Sequence, residues 1–526
     1  MSTSLNSGTN LNKTIVIARS KATWQSIQMK TLGEFIKKNK FEFLSVFLII
    51  FLALCLRLYR IGEFMTFLGD EGRDVRIVRD LITKGNLVFI GPQTSIGNMY
   101  LGPLYYYMMA PALFLSRMNP IGPAVLNALI GTFTVFLTYF IGRKLFNKWS
   151  GLIAALLYAV SPVAIIYSRS SWNPNPMPLF ALLCVWGIYQ VWQNKKYFWL
   201  PLIGVFFAFA LQMHYLGLLL GPVLGLFWIL TLISINKSKD FLRKKTFLRF
   251  TLFAFLSFFI LMSPLVLFDL RHQGMNFNAF KLFFSDRQTT VNLNPVRSDR
   301  FLPVIYMTVS DLVLARQTTW APLVSVLILL FSVWMYLKSK WLSSLKTVFV
   351  WLGFAILGLS VYKQHVYIHY LGFIYPAIYL LEGALLGFLL RRKTLFRLMA
   401  IASIVFLFAN SIIFSPVKDN PNHQLQRTEM AIDLIIKESN SQPFNFGLIA
   451  KQNYDESYRY FLENKNTGLV RGEEKIVDQL FVICEDGDSC QPEGHPAWQI
   501  AKFGPSHVVG QWQIDYLKIY RLVHTK

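Results

Sequence analysis

The sequence predicts an all-α polytopic membrane protein with about eleven transmembrane helices and a small C-terminal α/β domain. The 526 residues are 54% hydrophobic and only 15% charged, with a mean hydropathy of +0.42. A soluble core would have no room for this much apolar surface. Because the basic residues lie between apolar stretches, the net charge of +24 indicates membrane topology and not nucleic-acid binding.

The N-terminal segment, residues 1–40, is predicted to be cytoplasmic because it carries seven Lys or Arg residues and one acid. The apolar stretch that follows, residues 41–59, has no small-residue cleavage site after it. We therefore expect a retained membrane anchor and not a removed signal peptide.

Eleven apolar segments have a composition suited to crossing a hydrocarbon layer of roughly 30 Å. They are residues 43–58, 121–142, 149–167, 177–193, 197–213, 216–235, 250–268, 321–337, 346–362, 368–390 and 397–414. These spans make up a predicted transmembrane domain over residues 41–414.

The distribution of Lys and Arg sets the predicted orientation of these spans. With eleven spans, the inner loops each hold two to six basic residues and the short outer loops at most one. Counting the short apolar stretch 103–117 as a twelfth span would invert this pattern, so Leu104–Leu115 is interpreted as a helix in the outer interface. Two long outer loops result, residues 60–120 and 269–320.

The tail, residues 415–526, is predicted to be an extracytoplasmic α/β domain. It carries 15 acids against 12 bases, a helical pattern from Thr428 to Glu438 and a strand-like run from Phe481 to Cys484. Cys484 and Cys490 lie close enough in sequence for a disulfide, but the spacing alone leaves the pairing open. The predicted location is the plasma membrane, with several passes and a cytoplasmic N-terminus.

The most informative stretch begins just beyond the first span, at residues 69–85. Its apolar positions fall on one face, and Gly85 is a natural helix stop, which together predict an amphipathic interfacial helix. Asp70, Arg73 and Asp74 share one side of this helix by their spacing. Asp70 is either a helix cap or a general base that a lipid substrate can reach at the membrane surface.

This stretch resembles the first outer loop of the GT-C class of membrane glycosyltransferases, particularly family 39, which includes protein O-mannosyltransferases and the aminoarabinose transferases of lipid A. The resemblance lies in Asp70, Glu71 and Arg73, followed some thirty residues later by the run Pro103-Leu-Tyr-Tyr106. The other matching pieces are Gly142-Arg-Lys-Leu-Phe146, Ser161-Pro162, Tyr167-Ser-Arg169 and Tyr370-Leu-Gly-Phe-Ile-Tyr-Pro376, so the resemblance covers most of residues 60–380.

The sequence departs from the pattern of similar enzymes in two places. Leu101 and Gly102 stand where those enzymes often carry a Lys or His and a second Pro. Asn173 and Asn175 lie in the outer loop where many have a second Asp. The first departure removes one expected contact to phosphate or substrate, and the second leaves Asn173 or Asn175 as neutral hydrogen-bonding candidates.

The resemblance implies a GT-C-like fold and transfer of a sugar, with inversion, from a polyprenyl-phosphate donor to an unidentified acceptor. Nucleotide sugars stay in the cytosol, which agrees with such a donor for outer-face chemistry. Asp70 is predicted as the general base and Glu71 as its assistant. The predicted substrate or phosphate contacts are Arg73, Tyr105, Tyr106, Arg169, Asn173, His214, Arg271, His272, His369 and Tyr370. No cofactor is obligatory in this scheme, no metal ligands are assigned, and a divalent metal is left open.

Several of these residues also have a purely structural interpretation. Arg271 and His272 suit either interfacial anchoring or a phosphate clamp. His214, His365 and His369 are either interfacial polar groups or parts of one outer cavity, and Trp172 suits either the membrane interface or a sugar ring. The partners expected are the lipid donor and membrane lipids, with no nucleic acid.

Two other functions remain open at this point. A lipid or polysaccharide transporter would use similar grooves without breaking a bond, although the repeats or interrupted helices typical of transporters are not evident. Alternatively, the tail is a binding module and the membrane part only a scaffold.

Overall fold

The computed structural model describes residues 39–94, 99–285, 300–362, 365–465, 467–486 and 490–525. Apart from its last two residues, the basic segment 1–40 lies outside these ranges, as does part of the loop 269–320. The α-helices of the described part are α1 (Lys40–Leu58), α2 (Ile61–Phe64), α3 (Gly69–Lys84), α4 (Leu104–Leu115), α5 (Ile121–Leu145), α6 (Lys148–Val160), α7 (Pro162–Ile166), α8 (Met177–Asn194), α9 (Trp199–Met213), α10 (Leu220–Ser238), α11 (Phe241–Arg271), α12 (Met275–Ser285), α13 (Phe301–Leu312), α14 (Ala321–Lys338), α15 (Leu342–Ser360), α16 (Tyr375–Leu389), α17 (Thr394–Ile413), α18 (Gln424–Glu438), α19 (Glu456–Asn464) and α20 (Trp498–Phe503).

Each of the eleven predicted spans coincides with helical structure. Within the described ranges, eight helical segments are long and apolar enough to cross a membrane, and α6 and α9 are shorter apolar helices. The longest, α11, leaves Phe255, Phe259 and Ile260 exposed along its length. Such a surface is stable in lipid and not in water, so the chain is an integral membrane protein.

The centre of the bundle is α16, in which every residue is buried. Two glycines allow this burial. A Cβ atom at Gly383 would lie 2.3 Å from the carbonyl oxygen of Ser150, and one at Gly387 would lie 2.3 Å from the hydroxyl of the same serine. The absence of these side chains lets α6 pack directly against α16, as small residues do in membrane bundles.

The C-terminal region has the predicted α/β character. Its sheet consists of β1 (Asn445–Ile449), β2 (Gln479–Cys484), β3 (Ser506–Ile514) and β4 (Leu517–His524), in the order β1-β2-β4-β3. β1 and β2 are parallel, whereas β2 with β4 and β3 with β4 are antiparallel. The predicted helix and strand are confirmed, each beginning a few residues earlier than expected, and Cys484 and Cys490 are joined by a disulfide.

The C-terminal region is docked firmly on the loop 60–120. A Cβ atom at Gly72 in α3 would lie 2.3 Å from the backbone of Ser457 in α19, so the two helices touch through their backbones. Around this contact, Arg76 pairs with Glu456 at 2.5 Å and Arg79 with Glu463 at 2.7 Å. The C-terminal region is therefore positioned directly beside Asp70.

Candidate active site

A cavity of about 230 Å³ lies where the predicted outer segments meet. It collects residues from the loop 60–120, from the loop after α7, from the end of α9 and from the segment before α16. Its lining consists of Asp70, Arg73, Pro92, Gln93, Thr94, Leu101, Trp172, Asn173, Pro174, His214, Tyr215, Tyr367, His369 and Tyr370. Segments that the predicted topology assigns to one side of the membrane thus lie together in the structure.

One wall of the cavity is charged, and its centre is the carboxylate of Asp70 in the first turn of α3. Asp70 Oδ1 accepts hydrogen bonds from the hydroxyl of Tyr454 at 2.6 Å and from Arg73 Nη1 at 2.9 Å. In the described part of the chain no side chain donates to Oδ2, and 44% of the side chain is exposed. Asp70 therefore combines a fixed orientation with an accessible proton acceptor.

Arg73 is held in place by a second acid behind it. Its Nη2 and Nε donate to Asp74 Oδ1 at 2.7 and 2.9 Å, and the hydroxyl of Tyr106 donates to the same oxygen at 3.1 Å. Asp74 is fully buried, and burial raises its pKa to about 6 although Arg73 opposes this shift. The expectation that Asp70, Arg73 and Asp74 share one side of the helix is confirmed.

Glu71 occupies a different environment from its neighbour Asp70. Its carboxylate accepts the backbone N–H of Leu68 at 3.0 Å and so caps α3, which means that Glu71 and not Asp70 carries the capping role. Burial raises the pKa of Glu71 to about 7. Glu71 does not line the cavity. Tyr454 and Arg73 are the side chains that bond Asp70. Its predicted part in catalysis stays a prediction.

The opposite wall is aromatic and uncharged. The rings of Trp172 and His369 lie 4.5 Å apart between centroids, and His214 lies 5.8 Å from His369 and 5.0 Å from Tyr370. Burial lowers the pKa of His214 to about 3, so this imidazole is neutral at physiological pH. One interpretation of the sequence placed His214, His365 and His369 in a single outer cavity. His214 and His369 do line one cavity, whereas His365 packs on Tyr367 and does not line it.

The two departures from the family pattern both lie at this cavity. Asn173 lines it, but its amide donates to the carbonyl of Met213 at 2.6 Å, which ties its loop to the end of α9. Asn175 donates to the carbonyl of Ser170 at 2.8 Å. Leu101 adds an apolar surface to the lining at the first departure.

Five of the predicted contact residues do not line the cavity. Tyr105 and Tyr106 are fully buried, and Tyr105 bonds the hydroxyl of Ser171 at 2.9 Å. Arg169 packs over Phe64 at 4.4 Å. The remaining two lie at the end of α11, where Arg271 is exposed and His272 stacks on Phe268. The structure brings none of the five to Asp70, and their binding roles stay predictions.

The sequence reasoning missed Tyr454, Tyr215 and Tyr367. Tyr454 is 384 positions from Asp70 and belongs to no recognisable motif, so only the docking of the C-terminal region reveals it. Tyr215 and Tyr367 lie within two positions of the predicted site residues His214 and His369. The aromatic residues of these two segments were the sequence feature that could have identified them. Within the described ranges no three His, Cys, Asp or Glu side chains lie together as metal ligands.

Comparison with solved structures identifies the fold. The crystal structure of ArnT from Cupriavidus metallidurans bound to undecaprenyl phosphate matches with a TM-score of 0.60 at 12% identity, covering 90% of this chain and 97% of that one. The archaeal oligosaccharyltransferase AglB from Archaeoglobus fulgidus, in complex with an inhibitory peptide and a dolichol-phosphate, matches with a TM-score of 0.51 at 13% identity, covering 85% and 70%. The predicted GT-C fold is confirmed.

Sequence comparison matches a shorter part of the chain than the structural comparison does, and it agrees with the fold. The model of the dolichyl-phosphate-mannose-protein mannosyltransferase family matches residues 101–267, which confirms the predicted resemblance to family 39. An uncharacterised protein of Aquifex aeolicus is 25% identical over 162 residues, 30% of this chain, and the match spans about a third (32%) of that relative.

Proposed function

We propose that the protein transfers a sugar from a polyprenyl-phosphate donor to an acceptor hydroxyl on the outer face of the membrane. The observation that carries the proposal is the cavity itself, where the accessible carboxylate of Asp70 faces a neutral wall of aromatic and imidazole rings. A carboxylate suits proton abstraction, and flat rings with neutral donors suit a sugar.

The choice of donor follows from the location and from the matched proteins. The ArnT structure holds undecaprenyl phosphate and the AglB structure holds a dolichol-phosphate, both of them lipid-borne phosphates. The same kind of carrier would place its sugar in the cavity while its chain stays in the bilayer.

The proposed reaction is an inverting displacement. Asp70 Oδ2 takes the proton of the acceptor hydroxyl while the acceptor oxygen attacks the anomeric carbon. The bond between that carbon and the phosphate oxygen breaks, and the lipid phosphate leaves with the electron pair. Arg73 keeps the carboxylate oriented, while neutral His214 and His369 donate hydrogen bonds without competing for the proton.

We further propose that the C-terminal region is extracytoplasmic. The disulfide between Cys484 and Cys490 supports this location, because disulfides persist in oxidising compartments. The resulting topology puts residues 1–40 in the cytoplasm and the cavity outside.

The test is release of sugar from a panel of radiolabelled polyprenyl-phosphate sugars by the purified protein in lipid, with Asp70→Asn as the matched control. We expect turnover of at least one donor by the native protein alone. Intact binding of polyprenyl phosphate without turnover of any donor would contradict the proposal and favour a lipid transporter.

A further inference from the structure

Tyr454 forms a closed set of hydrogen bonds with the two charged residues of the cavity. Its hydroxyl donates to Asp70 Oδ1 at 2.6 Å and accepts from Arg73 Nη1 at 3.1 Å, while Arg73 Nη1 also donates to Asp70 Oδ1 at 2.9 Å. Burial raises the pKa of Tyr454 well above its ordinary value, so the phenol keeps its proton. The C-terminal region thus contributes a neutral donor directly to the candidate base.

The loop that carries Tyr454 is fixed on both sides. Asn453 Oδ1 accepts the backbone N–H groups of Gly69 and Tyr454, both at 2.9 Å. Asn453 Nδ2 donates to Glu485 at 2.8 Å, and the hydroxyl of Tyr458 donates to the same carboxylate at 2.7 Å. The loop is therefore held between the start of α3 and the end of β2.

Gly69 makes room for the ring of Tyr454. A Cβ atom at this position would lie 2.5 Å from the ring, a distance that real Cβ atoms do not tolerate. Glycine at the first residue of α3 therefore lets Tyr454 reach the carboxylate of the next residue.

Docking of the C-terminal region does not explain the hydroxyl of Tyr454. The docking depends on the backbone contact at Gly72, on the ion pairs of Arg76 and Arg79, and on Phe67, whose ring lies 5.7 Å from that of Phe461. These contacts would remain if the hydroxyl were absent. Removing it changes only the surroundings of Asp70 and Arg73.

We propose that Tyr454 is a positioning residue for the base. By occupying Oδ1 together with Arg73, it leaves Oδ2 to face the acceptor. The C-terminal region is then a structural part of the active site and not an accessory binding module. This inference rests on the proposed role of Asp70.

The test compares Tyr454→Phe with Tyr516→Phe in the full-length protein in lipid. Tyr516 is a matched control because it lies in the same region, is similarly exposed (44% against 41%) and bonds Arg427 at 3.2 Å. We expect Tyr454→Phe to lower kcat about tenfold, as loss of a hydrogen bond to a charged group does, with an unchanged KM for the donor. Tyr516→Phe should change neither value.

A second variant separates positioning from packing. Gly69→Ala crowds the ring and should reproduce the kcat loss, and combining it with Tyr454→Phe should add little, since both disturb one contact. Native kcat in Tyr454→Phe, with Asp70→Asn inactive, would overturn the positioning role and leave the proposed function standing. Full activity in Asp70→Asn would overturn both.

Discussion

The two walls of the cavity are built in opposite ways. The charged wall joins α3 to a loop of the C-terminal region and arranges Asp70, Arg73 and Tyr454 through direct hydrogen bonds. The neutral wall comes from the ends of membrane helices, where His214 and His369 pack among aromatic rings. The contrast indicates a division of tasks in which the charged wall handles the proton and the neutral wall holds the sugar.

The largest effect is expected from removing the charge of Asp70, which breaks the charged wall. General-base action is worth roughly 10²–10⁴ in rate, so Asp70→Asn should lower kcat by that factor while the fold stays intact. The measurement is donor turnover together with the thermal unfolding midpoint in detergent. Asp433→Asn, an exposed acid in α18, is the control. A loss of less than tenfold would remove Asp70 from the role of base.

A smaller loss of turnover is expected from weakening the support of the charged wall. Glu463→Gln takes a charge partner from Arg79, whose side chain is nearly buried, and should lower stability by on the order of 2 kcal/mol. The loosened C-terminal region should lower turnover by less than Asp70→Asn does. Thermal unfolding and kcat are measured against Glu429→Gln, which removes an exposed charge. An unchanged midpoint would show that this ion pair does not hold the region in place.

Substitutions in the neutral wall should change the KM for the donor and leave kcat unchanged. Trp172→Ala removes a ring face worth on the order of 1 kcal/mol to a stacked sugar, so the KM for the donor should rise about fivefold. The control is Trp149→Ala, a tryptophan that does not line the cavity. A fall in kcat with unchanged KM would mean that this wall takes part in the chemistry.

The smallest effect on turnover is expected from Glu71→Gln, because Glu71 lies outside the cavity and glutamine can still accept the N–H of Leu68. The variant should instead alter the pH dependence of stability. Burial raises the folded-state pKa of Glu71 to about 7, against an ordinary value of 4.5. The contribution of protonated Glu71 to the free energy of unfolding is therefore fully present below pH 4.5 and is lost as the pH rises through 7.

Thermal midpoints at pH 5 and pH 8 measure this effect. Glu71→Gln should raise the midpoint relative to the native protein at pH 8 and give no such advantage at pH 5. A strong loss of kcat in the same variant would instead support the catalytic role that the sequence predicts for Glu71.

Much of the fold could be predicted because local patterns decide it. Hydropathy marks the spans, and the spacing of Asp70, Arg73 and Asp74 on one helix gives their common side. The basic loops give a consistent topology, since residues 168–176 and 214–215 both supply lining residues beside Asp70.

The candidate site was less predictable because tertiary contacts decide it. Glu71 carries the same carboxyl group as Asp70 but is buried and caps α3, which sequence spacing does not reveal. Tyr105 and Tyr106 match the family pattern, yet they lie in the layer behind the cavity, where Tyr106 supports Asp74. Tyr454 reaches Asp70 only through the docking of the C-terminal region.

The most direct test of the two-wall account is a cryo-electron microscopy structure of the Asp70→Asn variant with a polyprenyl-phosphate sugar bound. The account predicts a sugar ring against Trp172 and His369, with one face of the anomeric carbon towards residue 70 and the lipid phosphate on the opposite face of that carbon. A head group bound instead at Arg271 and His272, with an empty cavity, would contradict it.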